Sequence, residues 1–302
     1  ISGGKLRQRV VETINIPNLP LPNLPDINGT HNVVITGVGG TGVVTIGAVL
    51  AMAAHLDGKA AGMMEMAGLA QKGGAVHIHC RISKKPDGIS AIRVALGECH
   101  TLIGGDLVVS AEGGTIGLMA PDGAAVVNNH EIITGEFTRN SNFQIPSADL
   151  ELSIIARLQT RALFMDATEL AEQALGDTVF ANMILLGATF QKGLLPLSLN
   201  SILEAVALNG AQVEKNKLAF NLGRWSIVDP KIANNFQTDI SPDGDAETVR
   251  LENLKAYGSG RLWRYDKLKK LIYGSPLNND ILRSYHKLLT YKDEYEVARL
   301  LT

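Results

Sequence analysis

The sequence predicts an α/β protein with a Rossmann-like, mostly parallel sheet that carries helices on both faces. Between residues 31 and 228, short apolar strands alternate with helical segments. Such alternation is typical of parallel sheets, because each crossover lays a helix on a sheet face. A glycine-rich turn, GVGGTG at Gly37–Gly42, joins a strand to a helix. The chain holds 31 glycines but only 5% aromatic residues, a composition that suits tight α/β turns better than a β-sandwich.

The first elements follow from the spacing of apolar residues. Asn32–Thr36 contains an uninterrupted apolar run and predicts a strand, and Val43–Leu56 has small and apolar residues at helical spacing. The stretch AVHIHCRI, Ala75–Ile82, alternates apolar and polar side chains and predicts a strand with one polar face. We interpret Glu65–Gly74, which is rich in small residues, as a loop before that strand.

The remaining elements are predicted from shorter patterns. Short buried strands are expected at Leu107–Ser110, Ala124–Asn128 and Ala162–Met165, with a short helix at Glu112–Met119. Helical spacing predicts four more helices, at Glu169–Leu175, Val179–Gln191, Ser198–Asn209 and Ala211–Gly223.

The distribution of proline and tyrosine divides the chain into three segments. Four of the eleven prolines lie in PNLPLPNLP, residues 17–25. Residues 1–30 are therefore predicted to be an extended linker, with a disordered tail as the less favoured alternative. Residues 31–228 are predicted to form the Rossmann-like domain. All six tyrosines follow residue 228, together with the charged clusters RLWRYDKLKK and YKDEYEVAR. We therefore predict a smaller helical or partly irregular segment at 229–302.

Composition excludes several classes of protein. Hydrophobic residues make up 45% of the 302 residues and the net charge is −2, so we expect a soluble protein without a nucleic-acid or membrane partner. The lysines and arginines form no evident stripe with interleaved aromatic residues. Cys80 and Cys99 are too few for a disulfide framework or for an iron–sulfur cluster held by this chain alone. With no signal peptide, a cytoplasmic location is expected.

The glycine turn has the spacing of a nucleotide-binding loop. Gly37 permits a tight turn, Gly39 a close backbone approach, and Gly42 close packing of the helix on the strand. Free N–H groups at the helix start favour an anion. A dinucleotide site also needs an acidic residue about 20 residues further on. Glu65 follows Gly42 by 23 residues, in a stretch without clear strand character. Spacing alone therefore leaves nucleotide binding open.

Other polar residues have simpler interpretations. His77 and His79 share one strand face, but zinc needs at least three protein ligands, so we interpret that face as a partner contact. Asp106 is a turn residue. Asn128 and Asn129 end a strand where α/β proteins bind ligands, and a turn role fits them equally well. No nucleophile–base pair is evident.

Two motifs together resemble a known family. Gly37–Gly42 with MAGLAQKGG, Met66–Gly74, is similar to the gamma domain of the 2-oxoacid:ferredoxin oxidoreductases, above all the fused indolepyruvate ferredoxin oxidoreductases. Three further stretches resemble other parts of that domain: Gly104–Asn129, Asn182–Ala188 and Glu214–Arg224. Tyr291–Thr302 resembles a segment that follows the gamma domain in the fused enzymes.

This resemblance implies a gamma component of an enzyme that oxidatively decarboxylates 2-oxoacids, here aryl 2-oxoacids such as indolepyruvate. Coenzyme A would be a substrate, and electrons would pass to ferredoxin through the complex. Thiamine diphosphate, Mg²⁺ and iron–sulfur clusters would be bound by partner subunits or domains. By itself the chain would hold no cofactor and have no activity.

The resemblance also implies a binding face toward the coenzyme and the partner subunit. Its candidate residues are Gly37, Gly39, Gly40, Thr41, Gly42, Met66, Gly73 and Gly74. Gln71 and Lys72 would face the cofactor-bearing partner, where Lys72 steadies a carboxylate or phosphate electrostatically. Two alternatives stay open: a stand-alone nicotinamide- or flavin-dependent dehydrogenase, and a non-catalytic scaffold.

Overall fold

A computed structural model describes residues 14–67, 74–130, 146–232, 236, 250–251, 254–255, 259–275 and 278–290. The chain divides into two compact units, one covering the described residues up to Phe236 and the other those from Arg250 onward. Each unit is described by itself below.

The first unit is built on a six-stranded sheet. Its strands are β1 (Thr30–Val38), β2 (Ala60–Ala67), β3 (Ala75–Ser83), β4 (Cys99–Gly104), β5 (Met119–Asn128) and β6 (Ala162–Met165). They lie in the order β2-β3-β1-β4-β5-β6. Strands β1, β4, β5 and β6 run parallel, whereas β3 is antiparallel to both of its neighbours. The predicted α/β fold with a mostly parallel sheet is confirmed.

Helices cover both faces of this sheet. They are α1 (Val43–Leu56), α2 (Leu107–Ser110), α3 (Gly113–Leu118), α4 (Ser147–Leu158), α5 (Ala167–Leu175), α6 (Ala181–Gln191), α7 (Leu199–Leu208) and α8 (Val213–Val228). Val33 and Ile35 of β1 belong to the larger core, beneath α1 and α5 to α8. Val34 points the other way, into a smaller core with α2, α3 and α4. Because side chains alternate along β1, successive residues of this strand pack into two separate cores.

Two local predictions are wrong. Leu107–Ser110 is helical, because the Asp106 side chain accepts a hydrogen bond from the Val109 N–H at 2.9 Å and caps the helix. A short apolar run alone does not distinguish strand from helix. Glu65 and Met66, expected in a loop, belong to β2, where pairing with β3 overrides weak strand propensity. Helix α4 and strand β4 were not predicted.

The proline-rich segment lies along the first unit. Residues 14–29 contain no helix or strand, yet Ile27 is buried in the larger core. The Pro20 carbonyl accepts hydrogen bonds from Gln191 Nε2 at 2.8 Å and from Arg224 Nη2 at 3.3 Å. Side chains of α6 and α8 therefore hold the segment against the domain.

The second unit contains helices α9 (Ser259–Leu271) and α10 (Asn278–Leu289). Leu254, Tyr265 and Leu282 form its small buried core. The charged cluster at residues 261–270 lies in α9, while the cluster YKDEYEVAR lies outside the described residues. Among the described helices, none combines the length and the apolar character that a membrane span requires.

Candidate functional site

A cleft opens at the carboxyl edge of the parallel strands. After β1 the chain passes through α1 on one face, and after β4 it passes through α2 on the other face. Crossovers that leave in opposite directions create a crevice between the two strand ends, which is where α/β proteins bind ligands. The cleft has a volume of about 160 Å³. Because ligand pockets usually enclose roughly 300–1,000 Å³, it has room for only part of a coenzyme.

The glycine turn forms one wall of this cleft. Gly40 and Gly42 have φ angles of 98° and 80°, values that residues with a Cβ rarely adopt. Thr41 Oγ1 donates a hydrogen bond to the Val38 carbonyl at 2.8 Å, and Gly42 is the N-cap of α1. The turn is therefore fixed by its own backbone geometry, with Gly40 and Thr41 lining the cleft.

Asn182, at the start of α6, also lines the cleft, and sequence reasoning gave this residue no role. Its Nδ2 donates a hydrogen bond to the Gly42 carbonyl at 3.1 Å. A Cβ added to Gly42 would collide with that same Nδ2. The sequence does contain a sign of this role, because Asn182 is a polar residue within a long buried helix. Its partner, however, lies 140 residues away along the chain.

Asn128, at the end of β5, is another residue that lines the cleft. Its Nδ2 donates to Thr168 Oγ1 at 2.9 Å, and its Oδ1 accepts from the Ala167 N–H at 3.0 Å. The side chain is 2% exposed. Asn128 therefore anchors the first turn of α5 and holds Thr168, which also lines the cleft, in position.

The structure brings together most, but not all, of the predicted binding residues. The Gly39 N–H donates to the Gly74 carbonyl at 2.9 Å, which joins the glycine turn to the end of the second motif. Gly37 packs against Val43 in the wall behind the turn. Met66 of β2 is in register with His77 of β3, so the two side chains lie on the same face of the sheet. This is the face opposite α1, where His77 contacts Thr115.

Met66 therefore does not join the glycine turn. Gln71, Lys72 and Gly73 lie outside the described residues.

The position of Glu65 differs from that of a ribose-binding acid. In a dinucleotide-binding domain, that acid ends the parallel strand beside β1. Here the neighbour of β1 on that side is the antiparallel β3. Glu65 is in register with Ile78, which is in register with Ile35, so it lies two strands away from β1. At a strand spacing of about 4.8 Å the separation is roughly 10 Å.

The polar side of β3 contains two histidines with different surroundings. His77 Nε2 lies 3.1 Å from Thr115 Oγ1 and 3.7 Å from Glu112 Oε2. His79 is buried, and its Nδ1 accepts a hydrogen bond from the Val94 N–H at 2.9 Å. Burial lowers the pKa of His79 to about 4, so its ring is neutral at pH 7.

The two cysteines are not reactive groups. Burial raises the pKa of Cys80 and of Cys99 to about 12, which keeps both as protonated thiols at neutral pH. Across the part of the chain that the structure describes, no three His, Cys, Asp or Glu side chains converge as a metal site would require.

Comparison with known proteins gives consistent matches over the first unit. Residues 32–225 match the model of the pyruvate ferredoxin/flavodoxin oxidoreductase family. The chain is 25% identical over 199 residues to indolepyruvate oxidoreductase subunit IorB of Archaeoglobus fulgidus, covering 64% of this chain and 92% of that protein. The Pyrococcus horikoshii IorB subunit is 26% identical over 195 residues, covering 64% and 94%. The gamma subunit of a keto/oxoacid ferredoxin oxidoreductase from Geobacter sulfurreducens superposes with a TM-score of 0.46 and 21% identity, covering 66% and 98%.

Proposed function

The chain belongs to the pyruvate ferredoxin/flavodoxin oxidoreductase family, and we propose that it is the gamma component of an indolepyruvate-type 2-oxoacid:ferredoxin oxidoreductase. The assembled enzyme would oxidatively decarboxylate an aryl 2-oxoacid to the acyl-coenzyme A and pass the electrons to ferredoxin. The IorB subunits that match the chain over most of their own length support this substrate class.

One hydrogen bond carries the proposal. The bond from Gly39 N–H to the Gly74 carbonyl joins the glycine turn, of which Gly40 and Thr41 line the cleft, to the last residue of the second motif. These are the two motifs on which the resemblance to the gamma domain depends. Because β3 runs antiparallel beside β1, the segment that contains Gln71 and Lys72 ends next to the turn.

We propose that the glycine turn and the segment that ends at Gly74 contact part of the coenzyme and the backbone of a partner subunit. Gly40 and Thr41 line the cleft beside the start of α1, and N–H groups at a helix start favour a phosphate or a developing carboxylate. Thr41 and Asn182 line the cleft with neutral polar groups. Lys72 supplies the positive charge that the described cleft residues lack, acting as a fixed electrostatic contact.

Thiamine diphosphate, Mg²⁺ and the iron–sulfur clusters are assigned to partner subunits. Iron–sulfur clusters are usually held by four thiolates, and this sequence has two cysteines, both buried in apolar cores. The role of this chain is therefore to shape the coenzyme pocket and the subunit interface.

The test is reconstitution with the thiamine- and cluster-binding subunits. We expect no oxidation of indolepyruvate by the chain alone and turnover by the complex. Lys72→Ala should raise the KM for coenzyme A about tenfold, because one charge-assisted contact contributes roughly 1.5 kcal/mol or more. Lys85→Ala, an exposed lysine of the same unit, is the matched control.

Two results would contradict the proposal. Unchanged kinetics of the Lys72→Ala complex would leave the chain as a scaffold. Tight NADH binding by the chain, measured by fluorescence titration and abolished by Gly39→Val or Glu65→Lys, would identify a dehydrogenase instead.

A further inference from the structure

The two units differ in charge. Residues 250–290 contain nine lysines and arginines against three acidic residues, Glu252, Asp266 and Asp280. The whole chain has 28 basic and 30 acidic residues, so the remainder is acidic, with 19 against 27. A basic segment on an acidic protein is not explained by solubility and indicates a charged partner.

Part of this charge is concentrated on one side of α9. Arg264, Lys267 and Lys270 are exposed and follow one another at intervals of three residues, so they share a helix face. Trp263 and Leu271 lie on the same face and are 62% and 82% exposed. The Lys267 ammonium sits 5.2 Å from the centre of the Trp263 ring. We call these five residues the Trp263 face.

Exposure of a tryptophan among cations points to binding. Trp and Arg are the residues most enriched at interface hot spots, whereas a tryptophan without a binding role is usually buried. Tyr273, two residues beyond α9, is also exposed, at 85%. The expectation that basic residues form no stripe with an aromatic residue is therefore wrong for this helix.

We propose that the Trp263 face is the docking surface for a small acidic electron-carrier protein. The inference rests on the proposed function in naming ferredoxin as that carrier. Three cations complement a carboxylate-rich surface and steer its approach, while Trp263 and Leu271 supply the apolar centre of the contact. Encounters between redox partners are weak and bury less than about 1,200 Å², an area that a two-helix unit can supply.

Other anionic partners fit this face less well. Proteins that bind nucleic acid through the backbone neutralise roughly six to ten phosphates, and this face offers three exposed cations beside the exposed Asp266. Helices that lie in a membrane surface separate apolar and charged residues onto opposite faces. On α9 the exposed Trp263 and Leu271 lie among the cations.

The experiment compares two electron acceptors in the assembled enzyme. The charge-reversal variant Arg264→Glu/Lys267→Glu/Lys270→Glu should raise the KM for an acidic ferredoxin at least tenfold at 50 mM NaCl, with kcat unchanged, because charge steering acts on association. Rates with methyl viologen, a small dye that needs no protein docking, should not change. Raising NaCl to 300 mM should weaken ferredoxin use by the wild type but not by the variant.

A second triple variant controls for net charge. Lys85→Glu/Lys192→Glu/Lys231→Glu changes three exposed lysines of the first unit and alters the net charge equally. Its KM for ferredoxin should change less than twofold. An equal effect of both triple variants would overturn the proposal, as would a parallel loss of methyl viologen activity, which would place the face in assembly.

Direct binding separates this inference from the proposed function. If the wild-type complex oxidises no 2-oxoacid with methyl viologen, the proposed function fails. Calorimetric titration of the full chain with oxidised ferredoxin then still decides the docking proposal. Salt-sensitive binding that the Trp263-face variant loses supports it. Tighter binding to heparin, or to vesicles of phosphatidylserine and phosphatidylcholine, overturns it.

Discussion

The two faces of the central sheet are held to their helices in different ways. On the face covered by α1 and α5 to α8, the side chains of β1 and β3 are mostly apolar, such as Ile35 and Ile78, and the buried His31 is an exception. On the face covered by α2, α3 and α4, the same strands present Thr36, His77 and His79. On these two strands, apolar packing predominates on the first face, whereas hydrogen-bonded polar side chains are added on the second. We therefore expect substitutions on the two faces to destabilise the domain for different physical reasons.

The apolar face contains a very close contact between two helices. Helices α6 and α8 cross where Gly187 meets the backbone of Phe220 and Gly223 meets the backbone of Ile184. A Cβ added to either glycine would overlap a carbonyl oxygen of the other helix. Phe190 and Phe220 pack beside the crossing, with ring centroids 5.7 Å apart. Backbones can approach this closely only where both residues lack a side chain.

The largest effect is therefore expected at this crossing. Gly187→Ala should destabilise the fold by about 4 kcal/mol or more, since the two helices must separate and leave gaps in a core of native density. Urea denaturation followed by circular dichroism measures the loss.

The matched control is Gly114→Ala on α3, where an added Cβ meets nothing within 4 Å. It should stabilise the domain by up to about 1 kcal/mol, because alanine has the higher helix propensity. Equal stability of the two variants would show that shape does not hold the apolar face.

The same contrast explains what the sequence could predict. Periodicity located α1 at Val43–Leu56, because an apolar helix on a sheet repeats its pattern regardless of partner. Strand β2 was missed because its small and methionine-rich sequence has little strand propensity of its own. Had it been recognised, the seven residues between Ala67 and Ala75 would have predicted an antiparallel pair, since a parallel crossover needs a dozen or more.

The site was predictable only in its local part. Glycine spacing located the turn at Gly40 and Gly42 without any tertiary information. The contact of Asn182 with Gly42 and the caps made by Asn128 depend on elements far apart in sequence, so no local pattern reveals them.

Acid should destabilise the polar face through His79. Its pKa in the folded protein is about 4, below the ordinary value of 6.5, because burial disfavours the charged ring. The unfolded chain therefore binds the proton more tightly, and stability that is present at neutral pH is lost as the pH falls from 6.5 to 4. Over that window His79 should account for about 2 kcal/mol.

Urea denaturation at several pH values measures this dependence for the wild type and for His79→Asn. The asparagine Oδ1 can replace Nδ1 as acceptor of the Val94 N–H but does not titrate. The variant should lose less stability between pH 6.5 and 4. Burial also lowers the pKa of His31 to about 4, so His31 contributes a pH dependence of stability that both proteins share. An unchanged slope in His79→Asn would contradict the assignment.

The smallest expected effect concerns a buried hydroxyl pair on the polar face. Ser110 Oγ donates to the Asp106 carbonyl, so its hydrogen is committed and Thr36 Oγ1 donates to Ser110 Oγ at 2.8 Å. Ser110→Ala should cost about 1–2 kcal/mol, because it leaves the Thr36 hydroxyl buried without that acceptor. Thr36→Val should cost about 1 kcal/mol, since Ser110 keeps its own acceptor.

The double variant Thr36→Val/Ser110→Ala should be more stable than the sum of the single losses predicts, by about 0.5–1 kcal/mol, because no hydroxyl is then left unpaired. Thr189→Val is the control: Thr189 is fully buried on the apolar face and donates to the Leu185 carbonyl within its own helix. In the double variant Thr189→Val/Ser110→Ala, the two losses of stability should add. Urea denaturation of the single and double variants measures each loss of stability. If the losses of Thr36→Val and Ser110→Ala are additive, the hydrogen bond between these residues does not hold α2 to the sheet.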